Sequence, residues 1–184
     1  RRQRQMCIRD RFNAHDTLLS RTVAVKILSR TDDDPETLRR FSNEAQSAAK
    51  LDHENIARVF FVGQDHGWSY IVFEFVEGQN LRQMVMEQGP LSLDLIMRYM
   101  YQLVRAVDHA ATRKVIHRDI KPSNVLVTED HRVKLVDMGL ARTQRLNADQ
   151  EDMTASGMTL GTFDYISPEQ ARDPRNADTR SDIY

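Results

Sequence analysis

Within HRDIKPSNVLV, residues 117 to 127, an arginine, an aspartate, a lysine and an asparagine fall inside seven consecutive positions, and an apolar run follows at once. VLV and VKLV, on either side of the polar TEDHR, read as a hairpin. Asn124 stands just before its first strand and Asp137 at the end of its second. Paired strands lie roughly 5 Å apart, so both side chains can leave the same open end. An amide oxygen beside a carboxylate suits a hard cation such as magnesium, which takes oxygen ligands and keeps several waters. A turn-capping asparagine and a solvated strand end would account for the same two residues. Asp119 lies five residues before Asn124. Pro122 and the polar flanks favour a compact loop, from which the Asp119 carboxylate could face the same site and accept a hydrogen bond from a substrate hydroxyl. Lys121 offers a point charge to an anion nearby. Both residues also fit a solvated, charged turn.

Other elements must position this loop. TVAVKIL, residues 22–28, is β-branched and apolar with one ion, Lys26, and reads as a strand. Asp34 suits a helix N-cap and Pro35 the first helical position. Leu38, Phe41, Ala45, Ala48 and Ala49 then follow at helical spacing, which predicts a helix from about 35 to 50. Glu44 flanks its apolar stripe and could pair with Lys26; a snorkelling lysine and an ordinary charged helix face would look the same. IARVFFV (56–62) and SYIVFEFV (69–76), joined by GQDHG, predict an antiparallel hairpin. Residues 92–111 carry Leu95, Ile96, Tyr99, Met100, Leu103, Val104 and Val107 on one side, which predicts a buried helix. Residues 142–160 are polar and threonine-rich and read as a loop. Strands with one helix, followed by helices, predict a two-lobed α+β arrangement with a boundary near Gly78.

The 184 residues suffice for one domain or a piece of a larger one. With 40% apolar and 29% charged residues the chain has a globular composition, and a net charge of −1 gives no basic field that would point to nucleic acid. A single cysteine, Cys7, excludes a disulfide framework within the chain and fits a reducing compartment. No apolar run approaches the roughly 18 residues of a membrane span. The expectation is a soluble, cytoplasmic domain, any membrane anchor lying outside these residues.

The order VAVK, a helical glutamate, HRDIKPSN, DMG and GTFDYISPEQ resembles a eukaryotic-type protein kinase, from about Phe12 to Tyr184. The resemblance implies ATP and Mg2+ as cofactors and proteins as substrates. It implies that Lys26 holds the α- and β-phosphates and is fixed by Glu44. Asp119 would orient the attacking hydroxyl and take its proton, Lys121 would steady the γ-phosphate, and Asn124 and Asp137 would bind magnesium. Phe73 would precede a hinge at Glu74 to Val76, with Ala24 and Leu126 enclosing the adenine. Lys121 and Thr162 resemble the serine/threonine-specific pattern, and ISPEQA has the flavour of bacterial members. Arg118 beside Asp119 implies control by a phosphate on the 142–160 loop, with Thr154 and Ser156 as first candidates and Thr159 behind them.

The pattern is departed from in three places. Met138 stands where the family usually has phenylalanine. All seven glycines lie at Gly63 or later, so the glycine-rich phosphate loop expected before Phe12 has no counterpart in RRQRQMCIRDR. Residues 1–11 are therefore expected to be a foreign or disordered leader. The last residues are SDIY, whereas the family continues with a large helix and several more. The expectation is a truncated two-lobed kinase fold, 12–77 forming the upper lobe and 78–184 part of the lower. Asp182 would tie into the catalytic loop, and Glu169 would lack its arginine partner. A catalytically silent nucleotide-binding or scaffolding module is the alternative function.

Overall fold

The computed structural model describes residues 11–28, 35–137, 165–173 and 177–184, with the backbone alone at Arg11, Glu36, Thr37, Arg40 and Glu44. Strands β1 (Arg11–Asp16), β2 (Arg21–Ile27), β3 (Val59–Asp65) and β4 (Trp68–Glu74) form an antiparallel sheet of order β1-β2-β4-β3. The strand expected at 22–28 is β2. β1 has no expected counterpart, and it begins at Arg11, opposite Lys26, one residue inside the expected leader.

Helix α1 (Pro35–Ala48) crosses this sheet and presses Phe41 and Ala45 onto Ile71 of β4. Ile71 is fully buried, and such a side chain contributes about 1.5–3 kcal/mol relative to an exposed one. The proposed N-cap Asp34 lies outside the described residues. The β3–β4 hairpin differs from expectation at both ends. Gly63, Gln64 and Asp65 continue the ladder opposite Tyr70, Ser69 and Trp68 instead of forming the loop. The turn is only His66 and Gly67, both at positive φ (48° and 80°), the geometry whose twist matches paired strands. At the other end Ile56 leaves the upper sheet and bridges to Leu135.

The lower half starts with β5 (Gln79–Asn80) and α2 (Leu81–Gln88). Asn80 and Gln83 exchange side-chain-to-backbone hydrogen bonds in a capping box at its start. Helix α3 (Leu93–Thr112) follows its N-cap Ser92. The hairpin of β6 (Val125–Val127) and β7 (Val133–Leu135) joins β5 in a three-stranded sheet of order β5-β6-β7. A short helix α4 (Pro168–Arg172) and a 3-10 turn (Thr179–Asp182) complete the described elements.

Helix α3 buries less than its sequence suggests. Tyr99, Ala106 and Ala110 are buried, with Leu95 and Leu103 packed partly against the same core. Ile96, Met100 and Val104 are 42%, 48% and 59% exposed, so the expected single buried face divides into a core stripe and an exposed apolar stripe. An apolar arc this wide exceeds what one packed neighbour can cover, and the hairpin takes only one side of it.

The halves share a core across the expected boundary near Gly78. Ala48, Leu51 and Ile56 pack in one cluster with Met84, Tyr99, Val125, Val127, Val133 and Leu135. Gly78 itself runs hard against β6. A Cβ there would lie 2.4 Å from the Val127 carbonyl oxygen. Gly78→Ala is therefore expected to destabilise the protein by about 1–3 kcal/mol through overpacking. A lowered denaturant midpoint at unchanged m-value checks this; an unchanged midpoint would show that the crossing chain moves aside.

Candidate active site

The quoted loop is short because it is bonded to itself. A 3-10 turn over Pro122–Asn124 ends it, and Asn124 is buried. Asn124 Nδ2 donates to the Asp119 main-chain oxygen at 2.8 Å and to Asp119 Oδ2 at 3.0 Å. Lys121 Nζ lies 3.0 Å from Asp119 Oδ1 and 2.9 Å from Oδ2. The Asp119 carboxylate is thus 6% exposed yet supplied with donors, as a buried charge requires. The amide orientation of Asn124 follows from the same contacts, since a flipped amide would set oxygen against two oxygens. Oδ1 is then the atom Asn124 can offer to a cation.

Asp137 is brought to the same end of the hairpin by the backbone. Val136 N donates to Asn124 O at 3.0 Å, one residue before Asp137. His117 fixes that point from below. Its Nε2 lies 3.0 Å from the Val136 oxygen, and its Nδ1 accepts from Asp119 N at 3.2 Å. A neutral imidazole protonated on Nε2 satisfies both contacts. One buried histidine, given no role from sequence although it opens the quoted stretch, therefore ties the Asp119 amide to the Val136 oxygen, one residue before Asp137. Among the described residues no three His, Cys, Asp or Glu side chains cluster. A cation held by Asn124 and Asp137 would take further ligands from phosphate or water, which is how magnesium is commonly bound.

Arg118 and Asp137 both have positive φ, 65° and 66°. For arginine this region is strained, and it persists only where neighbours over-determine it. Asp182 does so here. Its carboxylate accepts from His117 N and Arg118 N, each at 2.7 Å. Gln170 Nε2 of α4 donates to the Arg118 oxygen at 3.0 Å. Ser167 and Gln170 in turn form a capping box at the start of α4. Glu169 has a partner other than arginine. Ser181 Oγ donates to it at 2.6 Å, and that hydrogen bond holds its carboxyl below the usual carboxylate range.

The upper-sheet candidates lie on β2, β4 and α1. Ala24 of β2 pairs with Phe73 of β4, and Lys26 pairs with Ile71. Lys26 Nζ lies 5.9 Å from the centre of the Phe41 ring, so the lysine extends toward α1. Glu44 lies on that helix one turn after Phe41, but its side chain is outside the described residues. Glu74 ties the sheet to the lower hairpin. Its carboxylate lies 2.7 Å from Lys134 Nζ and accepts from Arg58 N at 3.2 Å. Val76 and Leu126 are half-buried, Leu126 pairing with both Asn80 and Lys134. Met138, Thr154, Ser156, Thr159 and Thr162 lie outside the described residues.

A family model described as the protein kinase domain matches residues 12–184. The chain belongs to the protein kinase family. It is 41% identical over 175 residues to the serine/threonine-protein kinase PrkC of Bacillus subtilis, covering 94% of this chain and 26% of that protein. It is 37% identical over 174 residues to the serine/threonine-protein kinase PknL of Mycobacterium tuberculosis, covering 94% of this chain and 42% of that one. The chain thus spans between a quarter and a half of these curated relatives. Among solved structures it resembles the PknI kinase domain of Mycobacterium tuberculosis, with a TM-score of 0.67 and 27% identity, covering 94% of this chain and 63% of that one. The expected two-lobed kinase fold and the likeness to bacterial serine/threonine kinases are both met.

Burial pushes the His117 imidazole down from its usual range, against the raising influence of Asp182, the Val136 carbonyl and Asp119. His53 and His109 are lowered mainly by burial as well. A depressed folded pKa means that the unfolded chain binds more protons once pH falls below about 6.5. Stability is therefore full above that pH and declines as pH falls through it. Denaturant titrations between pH 7.5 and 5.5 should show this slope, and His117→Gln should reduce it. A slope unchanged in His117→Gln would assign the effect to the other two histidines.

Proposed function

We propose that the protein carrying this chain transfers the γ-phosphoryl group of ATP to serine or threonine hydroxyls of proteins, with Mg2+. The observation that carries this reading is the buried Asp119 carboxylate, held by Asn124 and Lys121 beside the hairpin end that bears Asp137. Phosphoryl transfer demands positioning and neutralisation of phosphate charge more than covalent chemistry. The proposed roles follow from what each side chain can do. Asn124 Oδ1 and the Asp137 carboxylate would hold magnesium, which when bound neutralises phosphate charge. Lys26 would bind the α- and β-phosphates with Glu44 as its partner. Lys121 has three N–H donors, so it can remain on Asp119 while a second donor meets the γ-phosphate.

Asp119 would accept the proton of the substrate hydroxyl as its oxygen bonds to the γ-phosphorus and the bond from that phosphorus to the bridging oxygen breaks, with ADP leaving. Ala24, Phe73, the Glu74–Val76 hinge and Leu126 would enclose the adenine. Their support is the register that sets Ala24 beside Phe73 and the hairpin contact that fixes Glu74. Among the described residues no helix is long and apolar enough to cross a membrane. We place the kinase activity in the cytoplasm, where ATP is available.

Asp119→Ala in the whole protein is expected to lower transfer of labelled phosphate to a generic basic protein by about 10²–10⁴-fold. Equal rates in the two proteins would sink the assignment and favour the silent scaffolding reading.

The same site suggests its control. Arg118 Nε is buried with no hydrogen-bond partner among the described residues, although the backbone around it is fully bonded. A guanidinium held in this way suits a phosphate on Thr154, Ser156, Thr159 or Thr162. Phosphatase treatment should lower the activity of the wild-type protein while leaving Arg118→Ala unchanged by the same treatment. A similar fall in both would remove Arg118 as the receptor.

A further inference from the structure

Strand β7 has β6 on one side and no strand on the other, yet its outer edge is fully bonded. At its far end the Leu135 amide donates to the Asn55 oxygen at 2.8 Å, and the Leu135 oxygen accepts from Ala57 N at 3.0 Å. At its near end the partners are side chains. Val133 N donates to Gln102 Oε1 at 2.9 Å, and the Val133 oxygen accepts from Asn55 Nδ2 at 2.8 Å. Val133 is fully buried, so neither group can turn to water.

Gln102 is the centre of this arrangement. Its Oε1 also accepts from Asn55 Nδ2 at 3.0 Å, and its Nε2 donates to the His131 oxygen at 3.0 Å and the Arg98 oxygen at 3.4 Å. All four hydrogen-bonding positions of the amide are thereby used, which fixes its orientation without ambiguity. The residue sits on the core stripe of α3 between Tyr99 and Ala106, where sequence pattern alone calls for an apolar side chain. Tyr99 reinforces the same turn through its hydroxyl, 2.5 Å from His131 Nδ1.

We infer that Gln102 is a positioning residue for the proposed cation ligand Asp137, setting the placement of β7 on α3 through the Val133 amide. The inference rests on the kinase reading above. β7 is three residues long, and two residues beyond it the chain reaches Asp137. Val136, between them, is held by Asn124 and His117. A strand bonded at every outer group has one placement. Without the Gln102 acceptor the buried Val133 N–H must move to find another, and the strand moves with it. A shift of the strand carries Asp137, four residues beyond Val133, along with it.

The test is equilibrium binding of Mn2+ to the full-length protein with a non-hydrolysable ATP analogue, read by electron paramagnetic resonance. Gln102→Met removes the acceptor at similar volume, and Gln102→Asn keeps the amide but shortens its reach. Either is expected to weaken Mn2+ binding about tenfold, the lower end of what outer-shell changes cost. Gln102→Glu keeps an oxygen for Val133 N–H but loses the donor to the His131 oxygen, so it should bind Mn2+ more tightly than Gln102→Met and less tightly than the wild type. Arg105→Ala, on the same helix but paired with Glu54, should bind as the wild type does. Met and Asn variants that bind Mn2+ at wild-type affinity, with only a lowered thermal midpoint, would overturn the inference and leave the kinase reading standing. Wild-type protein that binds no Mn2+ with the analogue would overturn both.

Discussion

A carboxylate kept almost out of water, and proposed to meet a substrate, is the constraint around which the lower half is arranged. Asn124 and Lys121 direct N–H groups at the buried Asp119 carboxylate. Removing one partner of such a buried pair is costly, about 3–5 kcal/mol, because the other charge is left uncompensated. The donors must therefore be held independently of any ligand. The 3-10 turn holds Asn124, and His117 holds the Asp119 amide and the Val136 oxygen. An imidazole serves here because a neutral ring accepts at one nitrogen and donates at the other, and burial keeps it neutral.

The hairpin that carries Asp137 belongs to both halves of the molecule. Its outer edge is completed by residues 55–57, which precede β3 of the upper sheet, and Lys134 reaches Glu74 at the end of β4. Ile56 and Leu51 lie in the lower core and not the upper one. The upper sheet is therefore joined to the lower half at two places, through the backbone of residues 55 and 57 on β7 and through the Lys134–Glu74 ion pair.

Legibility from sequence followed local pattern. Apolar runs with turn residues between them were sufficient for β2, β4, β6 and β7, and the stripe from Leu38 to Ala49 for α1. The charged residues of the catalytic loop were legible because four chemical types in one short span constrain the chemistry strongly. β1 was not, since RFNAHD lacks clean alternation and Phe12 remains 55% exposed. The two stripes of α3 could not be separated, because apolar residues at adjacent helical angles look alike until a partner element chooses one. Asn55 and Gln102 were missed for the opposite reason. Their significance comes from backbone groups of a strand distant in sequence, and only a polar residue on a core-facing stripe hinted at it.

Strain in the loop gives the final link between distant residues and the site. Arg118 adopts a left-handed backbone that costs about 1–3 kcal/mol for a residue with a Cβ. Two short hydrogen bonds from the consecutive amides of His117 and Arg118 to the Asp182 carboxylate, and one from Gln170 Nε2 to the Arg118 carbonyl, offset that cost. The two bonds to the Asp182 carboxylate are charge-assisted and worth about 1.5–3 kcal/mol each, so the loop is stable only while the Thr179–Asp182 turn and α4 remain docked. The buried guanidinium nitrogen of Arg118 is carried on this same strained residue. The shape of the loop around Asp119 is therefore set more than fifty residues later in the chain, by Gln170 and Asp182.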